Sequence, residues 1–391
     1  MHIYDFQEVT GLYIGSSWKF SSSPANISLY HSEFSCFRIS SDFYLIFGSD
    51  IIIENHHRLG DKMKQRDFKI DTIKGIMIFL VVFVHCIGKV SAINTDTTWL
   101  KYIVRCVYPF HMPVFIFISG YFSSPENGKK AISKYLIPYL LANALFGLLG
   151  SFVNSQFSFS EADPFSPHWT LWYLLSLFFW KVFLSSVLEW KHPLLTMIIL
   201  ALITGIFSAD YYLSLSRTIA FFPYFIGGYL VRKNNIRHEL KKILSKSNAI
   251  LLFVISELIV AFLAYNNVNG LAFQLCCSYE TMNQSILTGI LLRLFAYISG
   301  TAGIIFFFSI TPEKKNYFSV LGKYSLTIYL AHSFCLRLIS KFVHLNSAAP
   351  IFLLSVIITI IICVIFGNKK MSNAYNFVIS GITRLLFIDN L

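Results

Sequence analysis

Residues 67–90 read DFKIDTIKGIMIFLVVFVHCIGKV and carry a carboxylate at Asp71, an ammonium at Lys74 and an imidazole at His85 in an otherwise apolar stretch. Eleven steps separate Lys74 from His85. At 100° per residue this is within about 20° of a whole number of turns, so on a helix the two share a face, ~16 Å apart along the axis. Asp71 falls about 40° from His85 by the same count, which puts all three groups on one stripe. Ionisable groups inside an apolar span are costly and mark functional sites by default. An imidazole titrates near neutrality and suits taking a proton from a hydroxyl. The plainer reading makes Asp71 and Lys74 an i, i+3 ion pair with Lys74 reaching toward headgroups and His85 capping the outer end. Against it, an imidazole well inside an apolar run must meet a polar partner or a cavity.

The next apolar run repeats the anomaly with Arg105 and then YPFHMPVFIFISGYF, in which Pro109 and Pro113 bracket His111 and a Ser119-Gly120 pair follows. An arginine here does not belong against lipid. Two prolines remove two backbone donors and predict a broken helix, tolerated in a membrane where neighbours or a wet cavity satisfy the freed carbonyls. The alternative is an ordinary proline kink with a satisfied core histidine.

These groups need a scaffold, and the composition says what kind. Of 391 residues, 55% are hydrophobic and 13% charged, too few charges to clothe a soluble globule once the apolar runs are marked. From residue 70 there are ten runs, at 70–90, 102–122, 131–153, 169–189, 193–208, 212–231, 248–266, 285–310, 319–340 and 349–367. Most have the ~20 residues a helix needs to cross a bilayer, the fifth being short. The expectation is an all-α, polytopic membrane protein with about ten transmembrane helices in one bundle. The net charge of +12 is distributed as topology rather than as a nucleic-acid surface. Lys62, Lys64, Arg66 and Lys69, then Lys129, Lys130 and Lys134, then Arg232 to Lys246, then Lys314, Lys315 and Lys323, and finally Lys369 and Lys370 all fall on one side. The loops 154–168 and 267–284 on the other side have no Lys or Arg. Both termini are then cytoplasmic.

Seven cysteines include no CxxC pair, and neither a metal site nor a disulfide framework is implied; Cys276 and Cys277, adjacent in a polar loop, read as two free thiols. Residues 1–62 have mixed polarity and no clear periodicity, and are neither a signal peptide nor a spanning helix. One reading makes them sequence upstream of a start at Met63. Residues 63–367 form the membrane domain. The tail, 368–391, has apolar residues at 377, 378, 382, 385 and 386 and predicts an amphipathic helix along the cytoplasmic interface.

The segments DTIKGIMIFLVVFVH, FHMPVFIFISGYF, HWTLWYLLSLFFW, FFPYFIGGYL and LGKYSLTIYLAH, in that order, resemble the membrane-bound acyltransferase 3 family, and within it fucose 4-O-acetylase-like sugar O-acetyltransferases. The resemblance covers about residues 66–367, and the first two segments are the specific ones. Family members carry a basic residue, ten intervening positions and a histidine in the first helix, matched by Lys74 and His85. Aromatic residues before a Ser-Gly are matched by Phe115, Phe117, Ser119 and Gly120, with Ile116 where a second consecutive aromatic is common.

The resemblance implies transfer of an acyl group, usually acetyl from acetyl-CoA as donor substrate with no bound cofactor, to a hydroxyl of a cell-surface carbohydrate or its lipid-linked precursor, in the bacterial inner membrane. In that frame His85 is the general base, Lys74 with Lys129 and Lys130 holds the donor's phosphates, Asp71 orients Lys74, and Arg105 contacts a phosphate or the oxyanion. Ser325, Tyr329 and His332, spaced 4 and 3, line one face of the ninth run and could touch the sugar, or serve as interhelical hydrogen bonds. Trp169, Trp172 and Tyr173 could stack on a sugar ring, or belong to the interfacial aromatic belt. The competing class is a transporter or flippase for a polar lipid or solute. Carriers usually show two repeated halves, whereas the unusual residues here concentrate in the first two runs. A scaffold subunit of an export complex would leave the ionisable stripe unexplained.

Overall fold

Asp67 starts the bundle. Its carboxylate accepts a hydrogen bond from the Ile70 amide at 3.1 Å, satisfying one of the donors that a first helical turn leaves unpaired. The computed structural model describes residues 66–96, 98–126, 128–154, 163–208, 211–236 and 245–386. The expectations for residues 1–62 and for the basic positions 237, 241 and 242 lie outside them.

Among the described residues the chain forms twelve α-helices of seven residues or more and two short strands. The first half contains α1 (Phe68–Val90), β1 (Ser91–Asp96), α2 (Thr98–Tyr121), α3 (Ile137–Asn154), α4 (Trp172–Leu188), α5 (Pro193–Thr204) and α6 (Leu215–Lys233). There follow α7 (Lys246–Tyr265), α8 (Ile286–Ile310), α9 (Tyr317–Lys323), α10 (Ser325–Phe342), β2 (Leu345–Ser347), α11 (Ala348–Phe366) and α12 (Lys369–Leu386). All ten apolar runs have a helical counterpart in this order. The protein is an all-α, multi-pass membrane protein, and seven of the spans are long and apolar enough to cross a bilayer unaided. The difference from ten lies in α5, at 12 residues, and in α6 and α10. Arg217, Arg232 and Lys233 dilute the hydropathy of α6, and His332, Arg337 and Lys341 that of α10.

Helix α1 packs against α2, α9, α10 and α11. Its approach to α9 is set by two glycines. A methyl on Gly75 would land on the Phe318 carbonyl, and one on Gly322 would land on the Asp71 carbonyl, so the backbones cross with no side chain between them. Gly120 of α2 and Gly228 of α6 allow a second close crossing, against the Phe225 and Phe117 carbonyls. Beyond α1 and α10 the strands pair in parallel, Ser91 opposite Leu345 and Asp96 opposite Ser347. Both helices therefore arrive at the same end of the bundle, which is the end where the histidines meet.

Three local expectations need correcting or refining. Pro109 and Pro113 do not break their helix: α2 is continuous through both. Gly300 of α8 leaves room for the Pro113 ring, since a methyl there would meet its Cγ. Cys276 and Cys277 form no disulfide and are wholly buried rather than in an open loop, packed with Tyr279, Met282 and Leu292. Beside them Arg293, also buried, donates to the carbonyls of Ala201 at 2.6 Å and Cys277 at 3.0 Å and ties α8 to α5. The tail does form a helix, α12, and its apolar side chains Phe377 and Leu385 are exposed at 80% and 87%, leaving that face unpartnered by the bundle.

Candidate active site

His85 lies on α1 five residues from the helix end, and its partner is a second histidine. The Nδ1 of His332, on α10, donates to the Tyr329 carbonyl, which can only accept. In a neutral imidazole the other nitrogen then carries the lone pair, so His332 Nε2 accepts, and the group donating to it is His85 Nδ1 at 3.2 Å. That leaves His85 Nε2 as a bare lone pair. The rings are nearly parallel, 10° apart with centroids at 5.4 Å.

The indole of Trp169 covers both rings, with its centroid 4.8 Å from His85 and 6.3 Å from His332. Trp169 sits in the left-handed region at φ 38°, a conformation that costs a bulky residue on the order of 1–3 kcal/mol and recurs at functional sites. What holds it there is the next residue. Thr170 accepts from the Tyr329 hydroxyl through its carbonyl at 2.6 Å, and its own hydroxyl is hydrogen-bonded to Ser333. The turn before α4 is thus pinned to α10 at two points.

Below the histidines is a cavity of about 20 Å³ lined by Ile78, Val81, His85, Met112, Phe115, Thr170, Trp172, Tyr173 and Tyr329, with room for about one water-sized group. Its walls are mostly apolar and aromatic, with the His85 imidazole among them. Trp172 stacks on Phe221, and Tyr173 meets Phe115 and Tyr329 edge-on.

Of the residues singled out in the sequence, His85, His332, Tyr329 and Trp172 come together here. Ser119 is one layer behind: it donates to the Phe115 carbonyl at 3.0 Å and accepts from the Tyr173 hydroxyl at 2.7 Å, so it orients a wall of the cavity. His111 is buried and donates from Nδ1 to the Val107 carbonyl at 2.8 Å. Asp71 and Lys74 are at the opposite end of α1, half-buried beside the Gly322 crossing. Arg105 is elsewhere: its guanidinium donates to the Ala264 carbonyl at 2.9 Å, at the end of α7 where carbonyls lack intrahelical partners.

Lys89, Thr170 and Ser333 belong to the site and were not singled out. Lys89 had a signal, since it lies one turn beyond His85, and its ammonium sits 4.7 Å from the Trp169 ring centroid. Thr170 and Ser333 had none, because nothing local distinguishes a hydroxyl that pins two segments from one that faces its own helix. No metal-binding group of His, Cys, Asp and Glu occurs among the described residues.

Comparison with known proteins gives this geometry a family context. A family model described as an acyltransferase domain matches residues 67–368. The chain is also similar to the nodulation protein NolL of Sinorhizobium fredii, 35% identical over 129 residues, which is 29% of this chain and 35% of that protein. It is similar to NolL of Mesorhizobium japonicum as well, 39% identical over 69 residues, 18% of each chain. The matched stretches thus cover well under two thirds of either relative. No solved structure matches.

Proposed function

The chain belongs to the acyltransferase family whose domain spans residues 67–368, and from that premise we propose that it moves an acetyl group from acetyl-CoA to a hydroxyl of a cell-surface carbohydrate or its lipid-linked precursor. The observation that carries the reading is the pairing of His85 with His332, which leaves the lone pair on His85 Nε2 unengaged in a residue that lines an apolar, partly open cavity. The acceptor hydroxyl gives its proton to Nε2 as its oxygen bonds to the thioester carbonyl carbon. The tetrahedral adduct collapses, the carbon–sulfur bond breaks, and the departing sulfur takes the proton back from His85. While protonated, His85 keeps its hydrogen bond to His332 and stays 4.8 Å from the Trp169 ring centroid.

Donor and acceptor reach the site from opposite ends of α1. The positive-inside pattern makes the Lys74 end cytoplasmic, where acetyl-CoA is found. That side has a cluster in which Lys130, Lys134 and Lys181 surround one carboxylate oxygen of Glu126 at 3.9, 3.3 and 3.5 Å, beside a π-helical turn at Ile132–Leu136. Three cations against one anion support the donor's phosphates binding there together with Lys74 and Lys129, with Asp71 orienting Lys74. The small cavity supports acetyl over larger acyl groups. Localisation to a bacterial inner membrane with both termini cytoplasmic belongs to the same proposal. No specific observation favours the transporter reading.

The test is thioester consumption by membranes carrying the protein, given acetyl-CoA and a carbohydrate acceptor. His85→Ala is expected to lower acceptor-dependent CoA release by about 10³-fold at unchanged membrane insertion, a loss typical of a general base. An inserted His85→Ala protein that still transfers acetyl groups at the wild-type rate would remove the proposal.

A further inference from the structure

Three cations near His85 each lie on an aromatic ring. Lys89 of α1 sits over Trp169 at 4.7 Å, Arg217 at the start of α6 over Trp172 at 5.1 Å, and Arg337 of α10 over Phe146 at 5.9 Å. The rings tie them to one place: Trp169 lies 4.8 Å from His85, Trp172 lines the same cavity as His85, and Phe146 lies 5.0 Å from His168, the residue before Trp169. All three side chains are half-buried. Among the described residues no carboxylate forms an ion pair with any of them, and the Nε of Arg337 is buried without a hydrogen-bond partner.

Like charges held this close and partly out of water repel each other, and ring faces offset only part of that cost. An arrangement of one ammonium and two guanidiniums around a base is completed by an anion. Guanidinium groups match the two-oxygen edge of a carboxylate or a phosphate. Lys89 lies about 22 Å along the helix axis from Lys74, so this cluster is distinct from the donor's phosphate site at the other end.

We infer that the acceptor carbohydrate carries an oxyanion, a carboxylate or a phosphate, and that Lys89, Arg217 and Arg337 hold it while Trp169 covers the sugar and presents its hydroxyl to His85. This rests on the acyltransferase reading and adds the acceptor's charge. It also makes Trp169 a substrate contact rather than a member of the interfacial belt.

The test uses the full chain in lipid nanodiscs with labelled acetyl-CoA and three oligosaccharides of equal length, one neutral, one bearing glucuronate and one bearing a phosphate monoester. One charged oligosaccharide is expected to be esterified with kcat/KM at least about tenfold above the neutral one, and which of the two wins identifies the anion. Lys89→Gln and Arg337→Gln should each raise the acceptor KM about tenfold and leave the acetyl-CoA KM within about twofold, and Lys89→Arg and Arg337→Lys should restore it. Equal or better use of the neutral sugar overturns the inference, as does a rise in the acetyl-CoA KM in place of the acceptor KM. Equilibrium binding of the same sugars to His85→Ala separates the two readings. Charged sugars that bind this variant, and lose binding on Lys89→Gln, while wild type forms no ester, sink acetyl transfer alone. Absence of both binding and ester sinks the anionic acceptor.

Discussion

His332 fixes the direction in which His85 can act. Its Nδ1 is committed to the Tyr329 carbonyl, so its Nε2 must accept from His85 Nδ1 at 3.2 Å, which leaves the lone pair on Nε2 of a His85 that lines the cavity. In the proposed reaction a neutral histidine here would do the orienting work that a carboxylate does in many hydrolases, without adding an anion to an apolar interior.

His332→Ala removes the acceptor and frees the His85 ring to turn. The expected result is a fall in kcat of about 10–100-fold with little change in either KM, as for other groups that orient a reacting residue. His332→Asn offers an oxygen to His85 and an amide to Tyr329 from the same side chain, and should recover part of the loss. Initial rates of acetyl-ester formation in membranes with matched protein levels check both. Equal losses in Ala and Asn would point to packing rather than orientation.

Tyr329→Phe deletes the hydroxyl that donates to the Thr170 carbonyl at 2.6 Å and leaves that carbonyl buried with one partner fewer. The cost to stability is expected to be about 1–3 kcal/mol. Because Thr170 restrains the strained Trp169 turn, activity should drop further than stability does, by about tenfold at temperatures well below the melting transition. Thermal unfolding in detergent alongside initial rates separates the two effects.

Gly75→Val places a branched side chain against the Phe318 carbonyl at the α1–α9 crossing. Overpacking there is expected to destabilise the bundle by at least about 1–3 kcal/mol, because the obstruction is backbone and cannot rotate away. Gly381→Ala, on α12 where nothing lies near the added methyl, is the control and should be neutral or stabilising by up to about 1 kcal/mol. A shift in melting temperature for Gly75→Val alone confirms that the crossing positions α1.

How much of this was legible depends on whether a feature is local. The ten apolar runs, the Lys74–His85 stripe and the 325, 329, 332 face follow from helical period, and all appear as helices in the expected order. The partner of His85 is 247 residues away, and no local pattern pairs two histidines across that distance. An arginine at 105 does not belong against lipid, and here its guanidinium donates to the Ala264 carbonyl, a backbone partner that leaves no mark in the sequence. Trp169 looked like an interfacial anchor by position, and only its contacts with His85 and Lys89 set it apart.

The cavity beneath His85 makes the sharpest claim about the donor. At about 20 Å³ it takes roughly one water-sized group, which fits the methyl of an acetyl group and not the chain of a butyryl group. One methylene in an apolar pocket discriminates by about 1–3 kcal/mol, so kcat/KM should fall by at least about tenfold from acetyl-CoA to propionyl-CoA and again to butyryl-CoA. Met112 and Val81 line the wall and, being apolar, supply no hydrogen bond to the His85–His332 pair or to the Trp169 turn. Met112→Ala and Val81→Ala therefore enlarge the cavity while leaving the base in place. Each is expected to narrow the acetyl-to-butyryl ratio by raising the butyryl rate, whereas a narrowing that came only from a lower acetyl rate would mean that the acyl group binds somewhere else.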